Sequence, residues 1–201
     1  MRCAALTRRY YRFRGIDERI FWDTMRFFPR FVNWHHRYHG AYRFTFASWA
    51  SRQLTPVEYR LGQLEFEMVG DACVNVHVPD DARLEAALLA DDFRNARRFL
   101  ATYYPAHAEL PFRCESWLLS PALRTMLPED SRILAFQRFF TLYATAERDD
   151  YKLWMYGRED IADADLSERT SLERAMKRYV QAGNRMTIGY GELDWSYVDA
   201  H

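Results

Sequence analysis

The sequence predicts an α/β fold of the α+β kind, a mixed sheet flanked by helices and preceded by a helical segment. Three observations carry this. Apolar residues recur at helical spacing through the first sixty positions. The period then drops to two between Leu64 and Val78. From there helical and strand patterns alternate to the end of the chain.

In order, Asp17 can cap a helix carrying Ile20, Phe21, Thr24, Met25 and Phe28, which Pro29 should kink or restart before Phe31, Val32 and Trp34. Gly40 is a stop signal. A short extended piece, Tyr42 to Phe46, and a brief helix, Ala47 to Leu54, lead to Pro56. Leu64, Phe66 and Met68 then alternate with Glu65 and Glu67. After the Gly70-Asp71 turn, Val74, Val76 and Val78 alternate with Asn75 and His77, so Leu64 to Val78 reads as a hairpin. Pro79 and Asp80 should open a long helix, roughly Ala82 to Tyr103. Strands are expected at Pro111 to Leu119, over FTLYATAER from Phe140, and over RMTIGYGELDW from Arg185. Ser131 should cap a helix before the second of these. Two further helices, about Tyr151 to Tyr156 and Ser171 to Ala182, should precede the last, with Gly183 as the stop. The resulting division is residues 1–56, helical, and residues 57–201, the sheet domain.

Composition narrows the function classes. Hydrophobic residues make up 49% of the 201 positions and aromatics 16%, which rules out a disordered chain. Lys plus Arg and Asp plus Glu are equal at 28 each, so no global field recruits nucleic acid or an acidic membrane surface. Charges interrupt every apolar run, and none approaches the ~20 residues that span a bilayer. Cys3, Cys73 and Cys114 are odd in number and read as reduced thiols, and the start of the chain has no secretory signal, so a cytoplasmic location is expected. Composition leaves a homo-oligomer open.

The words RLGQLEFE (60 to 67), VHVP (76 to 79), ESWLLSPALRTMLPEDSRILAFQRF (115 to 139), TSLERA (170 to 175) and GYGEL (189 to 193) resemble the bacterial acyltransferase-domain proteins, whose C-terminal part is a GNAT-like domain. The stretch from Gly15 to Gly40 is similar to the helical N-acyltransferase N-terminal domain that precedes it, entered partway. The resemblance implies transfer of an acyl group from an acyl-CoA thioester to an amine acceptor, both small molecules, with coenzyme A as cofactor. It implies that the strand before the long helix splays from the strand after it and that the pantetheine arm enters the gap. Asn75, His77, Cys114 and Ser116 would line that cleft. Asn75, Val76, Val78 and Arg83 would hold the cofactor. One departure stands out. The superfamily's glycine-bearing pyrophosphate loop, which offers bare N–H groups at a helix start, is replaced by Pro79, Asp80, Asp81, Ala82, Arg83, Leu84 and Glu85. This favours an alternative reading, a non-catalytic ligand-binding or assembly module that keeps the fold.

Among candidate catalytic groups, His77 has an unperturbed pKa of ~6.5 suited to proton transfer. Glu65, and less so Glu67, could act as base from the polar face of a strand. Ser116 and Cys114 are candidate nucleophiles without a nucleophile elbow around them, and Tyr143 could reprotonate a leaving thiolate. Each also has a structural explanation: a solvated strand face for the glutamates, a backbone-bonded imidazole for His77, packing for Cys114 and Ser116. His35 and His39 stand four apart on a helix, but no further ligand completes a metal set at recognisable spacing, so no metal is expected. The run RRYYRFR (8 to 14) reads as a docking segment rather than a nucleic-acid surface.

Overall fold

The structure, a computed structural model, describes residues 2–201. It has the expected mixed α/β architecture, with six strands, flanking helices and a helical N-terminal segment. Two compact units make up the chain. One runs up to Arg83 and includes Ala87–Phe112; the other comprises Leu84–Ala86 and Arg113–His201.

The first unit begins with helices α1 (Arg2–Arg14), α2 (Glu18–Met25), α3 (Phe27–His39) and α4 (Ala50–Leu54). Asp17 caps α2 as expected, its carboxylate accepting the Arg19 N–H at 2.8 Å. The break falls at Arg26 rather than at Pro29. Pro29 sits in the first turn of α3, where a missing N–H leaves no intrahelical bond unmade. Gly40 closes α3 in the left-handed conformation, with its N–H on the His36 carbonyl. The expected extended piece at Tyr42 to Phe46 joins no strand. It lies as an irregular segment whose rings pack on α3, Phe46 against Phe31 at 4.2 Å and Phe44 against Phe27 at 5.9 Å.

Strands β1 (Glu58–Leu61), β2 (Leu64–Val69) and β3 (Cys73–His77) form an antiparallel meander. The hairpin of β2 and β3 matches expectation, while β1 is an additional strand, turned back by Gly62 and Gln63 inside what reads as one run. Gly62 has φ +78, and a Cβ there would overlap the Asp92 carboxylate, 2.5 Å from its Cγ. Asp92 belongs to α5 (Ala86–Tyr103) and accepts the Gln63 N–H at 2.7 Å, so a helix side chain secures the turn. Tyr59, Leu64, Phe66, Val74 and Val76 are buried, and Phe66 meets Phe93 of α5 edge-on. The short helix α6 (Pro105–Ala108) follows.

Helix α5 starts four residues later than the sequence suggests, because side chains hold Asp80 to Glu85 in a turn. Arg83 donates its N–H to Gln63 Oε1 at 3.0 Å, and Asp81 accepts from Arg60 Nη1 at 2.8 Å. Asp80 lies 3.4 Å from Arg37 and 3.8 Å from Arg30. The carboxylates at this turn are therefore ion-paired.

In the second unit β6 (Thr187–Leu193) runs antiparallel between β4 (Phe112–Ser116) and β5 (Phe140–Glu147). Strand β4 ends three residues early, since Ser116 Oγ accepts the Leu118 N–H and starts a 3₁₀ turn over Trp117–Leu119. Helices α7 (Leu123–Met126), α8 (Arg132–Gln137), α9 (Asp150–Tyr156), α10 (Ser171–Gln181) and α11 (Trp195–Asp199) complete the unit. Ser131 caps α8, and Thr170 with Glu173 forms a reciprocal capping box on α10. Buried Leu123, Tyr151, Leu166, Met176 and Met186 fill the space among these elements. Gly189 lets β6 pass the Leu119 carbonyl, which an added Cβ would approach to 2.6 Å. Among the described residues no helix is long and apolar enough to cross a membrane.

Candidate active site

The meander's pairing dictates which polar side chains meet. Glu58, Glu67 and Asn75 stand opposite one another across β1, β2 and β3, and Arg60, Glu65 and His77 do so two residues further along. Side chains two apart share a face, so all six belong to the face opposite the one that packs on α5. Arginine and glutamine side chains from α3 and α4 close over this face.

His77 is the centre of the cluster. Its Nε2 lies 2.8 Å from Glu67 Oε2, 3.3 Å from Asn75 Nδ2 and 3.9 Å from Glu58 Oε2. Arg52 Nε holds the other oxygen of Glu67 at 3.0 Å. Gln53, which is 1% exposed, donates from Nε2 to Glu58 Oε1 at 2.7 Å. The histidine side chain keeps 28% of its surface open, while Glu58 keeps 4% and Glu67 13%. The imidazole is thus more open to a solute than either carboxylate beside it.

The electrostatics follow from this packing. Burial opposes charge on His77, yet hydrogen bonding to Glu67 and the fields of Glu58, Glu67 and Glu65 outweigh it and hold its pKa above the ordinary value. Burial also works against ionisation of Glu67, but the contacts with His77, Arg52 and Asn75 keep its pKa below the usual carboxylate range. Glu58 has no cation in hydrogen-bonding contact. Burial, against which the charge on His77 acts only partly, pushes its pKa up to about 7. The cluster therefore has an ionised carboxylate bonded to an imidazole and a second carboxyl poised near neutrality.

Glu65 has a different environment. Arg30, 9% exposed at its side chain, places Nη1 2.8 Å from Glu65 Oε1 and donates from Nη2 to Oε2 at 3.0 Å. Of the other residues singled out in the sequence, Asn75 joins His77. Val76 points into the core at 1% exposure, and Val78 follows β3 half-buried. Arg83 is exposed at the turn before α5. In the second unit, Cys114 is buried, with its pKa raised above that of an ordinary thiol by burial, and Ser116 is engaged as a cap. Tyr143 is 57% exposed at an irregularity in the pairing of β5 with β6. His35 donates from Nδ1 to the Ala41 carbonyl at 2.7 Å. Glu58, Gln53, Arg30 and Arg52 join the picture only in three dimensions. For Glu58 a signal existed: it alternates with Arg60 before the Gly62 turn, as Glu65 and Glu67 do after it. Elsewhere in this unit an apolar pocket of about 550 Å³, lined by Leu6, Leu54, Met68 and Tyr104 among others, contains none of these residues.

A family profile described as GNAT-like C-terminal domain matches residues 58–193. The chain belongs to that family. A profile described as N-acyltransferase N-terminal domain matches residues 1–55, so the GNAT-like domain carries the whole His77 cluster except the side chains contributed by α3 and α4. No curated protein matches the chain. Among solved structures, an acyltransferase in complex with decanoyl-CoA and teicoplanin is 28% identical, with a TM-score of 0.85 over 96% of this chain and 64% of that one. The same figures hold for an acyltransferase in complex with CoA and 10C-teicoplanin. An acyltransferase in complex with decanoyl-CoA alone is 27% identical, with a TM-score of 0.86 over 95% of this chain and 62% of that one. The chain thus spans less than two thirds of the length of these relatives, all of which hold CoA or an acyl-CoA.

Proposed function

We propose that this GNAT-like chain serves acyl transfer from an acyl-CoA to an amine acceptor, with His77 as the base that takes the acceptor's proton. The observation that carries the reading is the Glu67 to His77 pair on an accessible edge of a buried polar cluster. Nε2 donates to the Glu67 carboxylate, so Nδ1 is the basic nitrogen of the neutral ring. Glu67, itself held by Arg52 and Asn75, orients the imidazole and stabilises the imidazolium formed when the ammonium of the acceptor is deprotonated. The free amine then attacks the thioester carbonyl. A carbon–nitrogen bond forms, the carbon–sulfur bond breaks, and the thiolate of CoA leaves and is protonated. Glu65, engaged by Arg30, is not the base in this scheme.

For the donor, we assign the main chain of Asn75, Val76 and Val78 to the pantetheine arm and the exposed guanidinium of Arg83 to the diphosphate. The ion pairs of Asp80 and Asp81 with Arg30, Arg37 and Arg60 support this, because they remove the net negative charge that would repel phosphate. Ser116 as nucleophile gains no support from its capping bond. Tyr143, exposed on β5 of the second unit, likewise gains no support as the group that returns a proton to the thiolate.

The test is a thermal-shift series with CoA and acyl-CoAs of increasing length, followed by amine acylation assays on His77→Gln. Ligand should raise the melting temperature of both forms, and the variant should lose transfer by about 100-fold or more. Unchanged transfer by the variant would overturn the assignment of His77. Absence of any shift at saturating CoA would overturn the enzyme reading in favour of a module that retains only the fold.

A further inference from the structure

We propose that Glu58, Glu67 and His77 form a binding site for a divalent cation of the zinc class, and that occupancy withdraws His77 from proton transfer. Among the described residues this is the trio whose donor atoms come together, all within 4.8 Å of one another. The separations from His77 Nε2, 2.8 Å to Glu67 Oε2 and 3.9 Å to Glu58 Oε2, bracket the ~3.3 Å between neighbouring ligand atoms of a tetrahedral ion with bonds of ~2.0 Å. One imidazole nitrogen with two carboxylate oxygens is a donor set for zinc and its neighbours rather than for magnesium or calcium.

A second observation points the same way. Gln53 is buried and directed at Glu58, and its Oε1 has no hydrogen-bond partner among the described residues. Through Nε2 it fixes Glu58 by Oε1 and so leaves Oε2 directed at the ion, a supporting hydrogen bond of the kind that orients metal-binding carboxylates. Arg52 binds Glu67 through Oε1 and leaves Oε2 for the ion. His77 supplies the open side through which an ion and a water enter. The ligands come from three different strands, which is why no spacing in the sequence announces them.

Binding stands on the geometry alone, whereas the effect on catalysis rests on the acyl-transfer reading. A bound ion takes the place of the proton on Nε2, which passes to solvent, while the neutral ring takes up a proton from solvent at Nδ1, or the imidazolium keeps the one already there; either way Nδ1, the nitrogen needed as base, is occupied.

Chelator-treated protein titrated with Co²⁺ should show the visible ligand-field bands of a four- or five-coordinate ion, saturating at one per chain and displaced by Zn²⁺. His77→Gln and Glu67→Gln, each checked for folding by circular dichroism, should weaken binding by about 10-fold or more. His35→Gln with His39→Gln should bind as the parent does. Bands that persist unchanged in both cluster variants, or a spectrum no different from aqueous cobalt, would overturn the site. In the acylation assay Zn²⁺ should inhibit reversibly with the affinity read by displacement. Binding without inhibition would leave the site standing and overturn only its effect on His77.

Discussion

Replacing Gly62 with alanine should be among the most damaging single-methyl additions in this protein. The backbone at φ +78 costs a non-glycine residue about 1–2 kcal/mol. The added Cβ also lies 2.5 Å from Asp92 Cγ, so the carboxylate must move and release the Gln63 N–H. The Gln63 N–H is half-buried, and leaving such a donor unpaired costs up to about 1–3 kcal/mol. Together the loss should be about 2–5 kcal/mol, read as a shift in the urea midpoint at constant slope. Gly70 provides the control. It too has positive φ, +51, but nothing lies within 4 Å of the place a methyl would take, so Gly70→Ala should lose only the backbone contribution of about 1–2 kcal/mol. Combining Gly62→Ala with Asp92→Ala should cost less than the sum of the two, because removing the carboxylate removes the overlap. Equal losses at Gly62 and Gly70, or simple additivity in the double variant, would refute the contact with Asp92 as the cause.

Asp92 also makes a pH prediction. Burial, only partly offset by the Gln63 N–H, raises its pKa to about 6, above the ordinary ~3.9 of an unfolded chain. The unfolded state therefore loses its proton first as pH rises, so this residue's contribution to stability falls between about pH 4 and 6 and is constant above, a change of about 3 kcal/mol. The stability of Asp92→Asn relative to the parent should improve by that amount across the window, and a pH-independent difference would contradict it. Arg30→Met should destabilise by about 3–5 kcal/mol, since it leaves Glu65 buried without its cation, and adding Glu65→Gln should recover part of the loss. A loss below about 1 kcal/mol would show that the pair does not matter to the fold. Iodoacetamide should alkylate exposed Cys3 and spare Cys114 in the native protein; peptide mass mapping that finds both modified at equal rates would contradict the burial of Cys114.

The elements legible in the sequence are those with a period and a punctuation mark. Leu64 to Val78 alternates about a Gly-Asp turn, and Asp17, Ser131, Gly40 and Gly183 mark helix ends that the structure keeps. Strand β1 is hidden because its turn, Gly62 and Gln63, is too brief to interrupt the alternation on either side. The late start of α5 is hidden as well, since Asp80 to Glu85 would suit a first helical turn were the acids not claimed by arginines from α3 and β1. Alternation alone places Asn75, His77, Glu65 and Glu67 on one face. It cannot reveal that Glu65 is bound to Arg30 while Glu67 is bound to His77, because that choice is made by which helix side chain reaches each row.

The paired acids ahead of α5 also limit how this protein can be redesigned. Installing the glycines of a conventional pyrophosphate loop at Asp80 and Asp81 would take the counter-ions from Arg37 of α3 and Arg60 of β1 and leave Arg30 with Glu65 alone. A loop graft would therefore have to rewrite α3 and β1 in the same step, and local swaps at this turn should yield insoluble or unfolded chains rather than better cofactor binders.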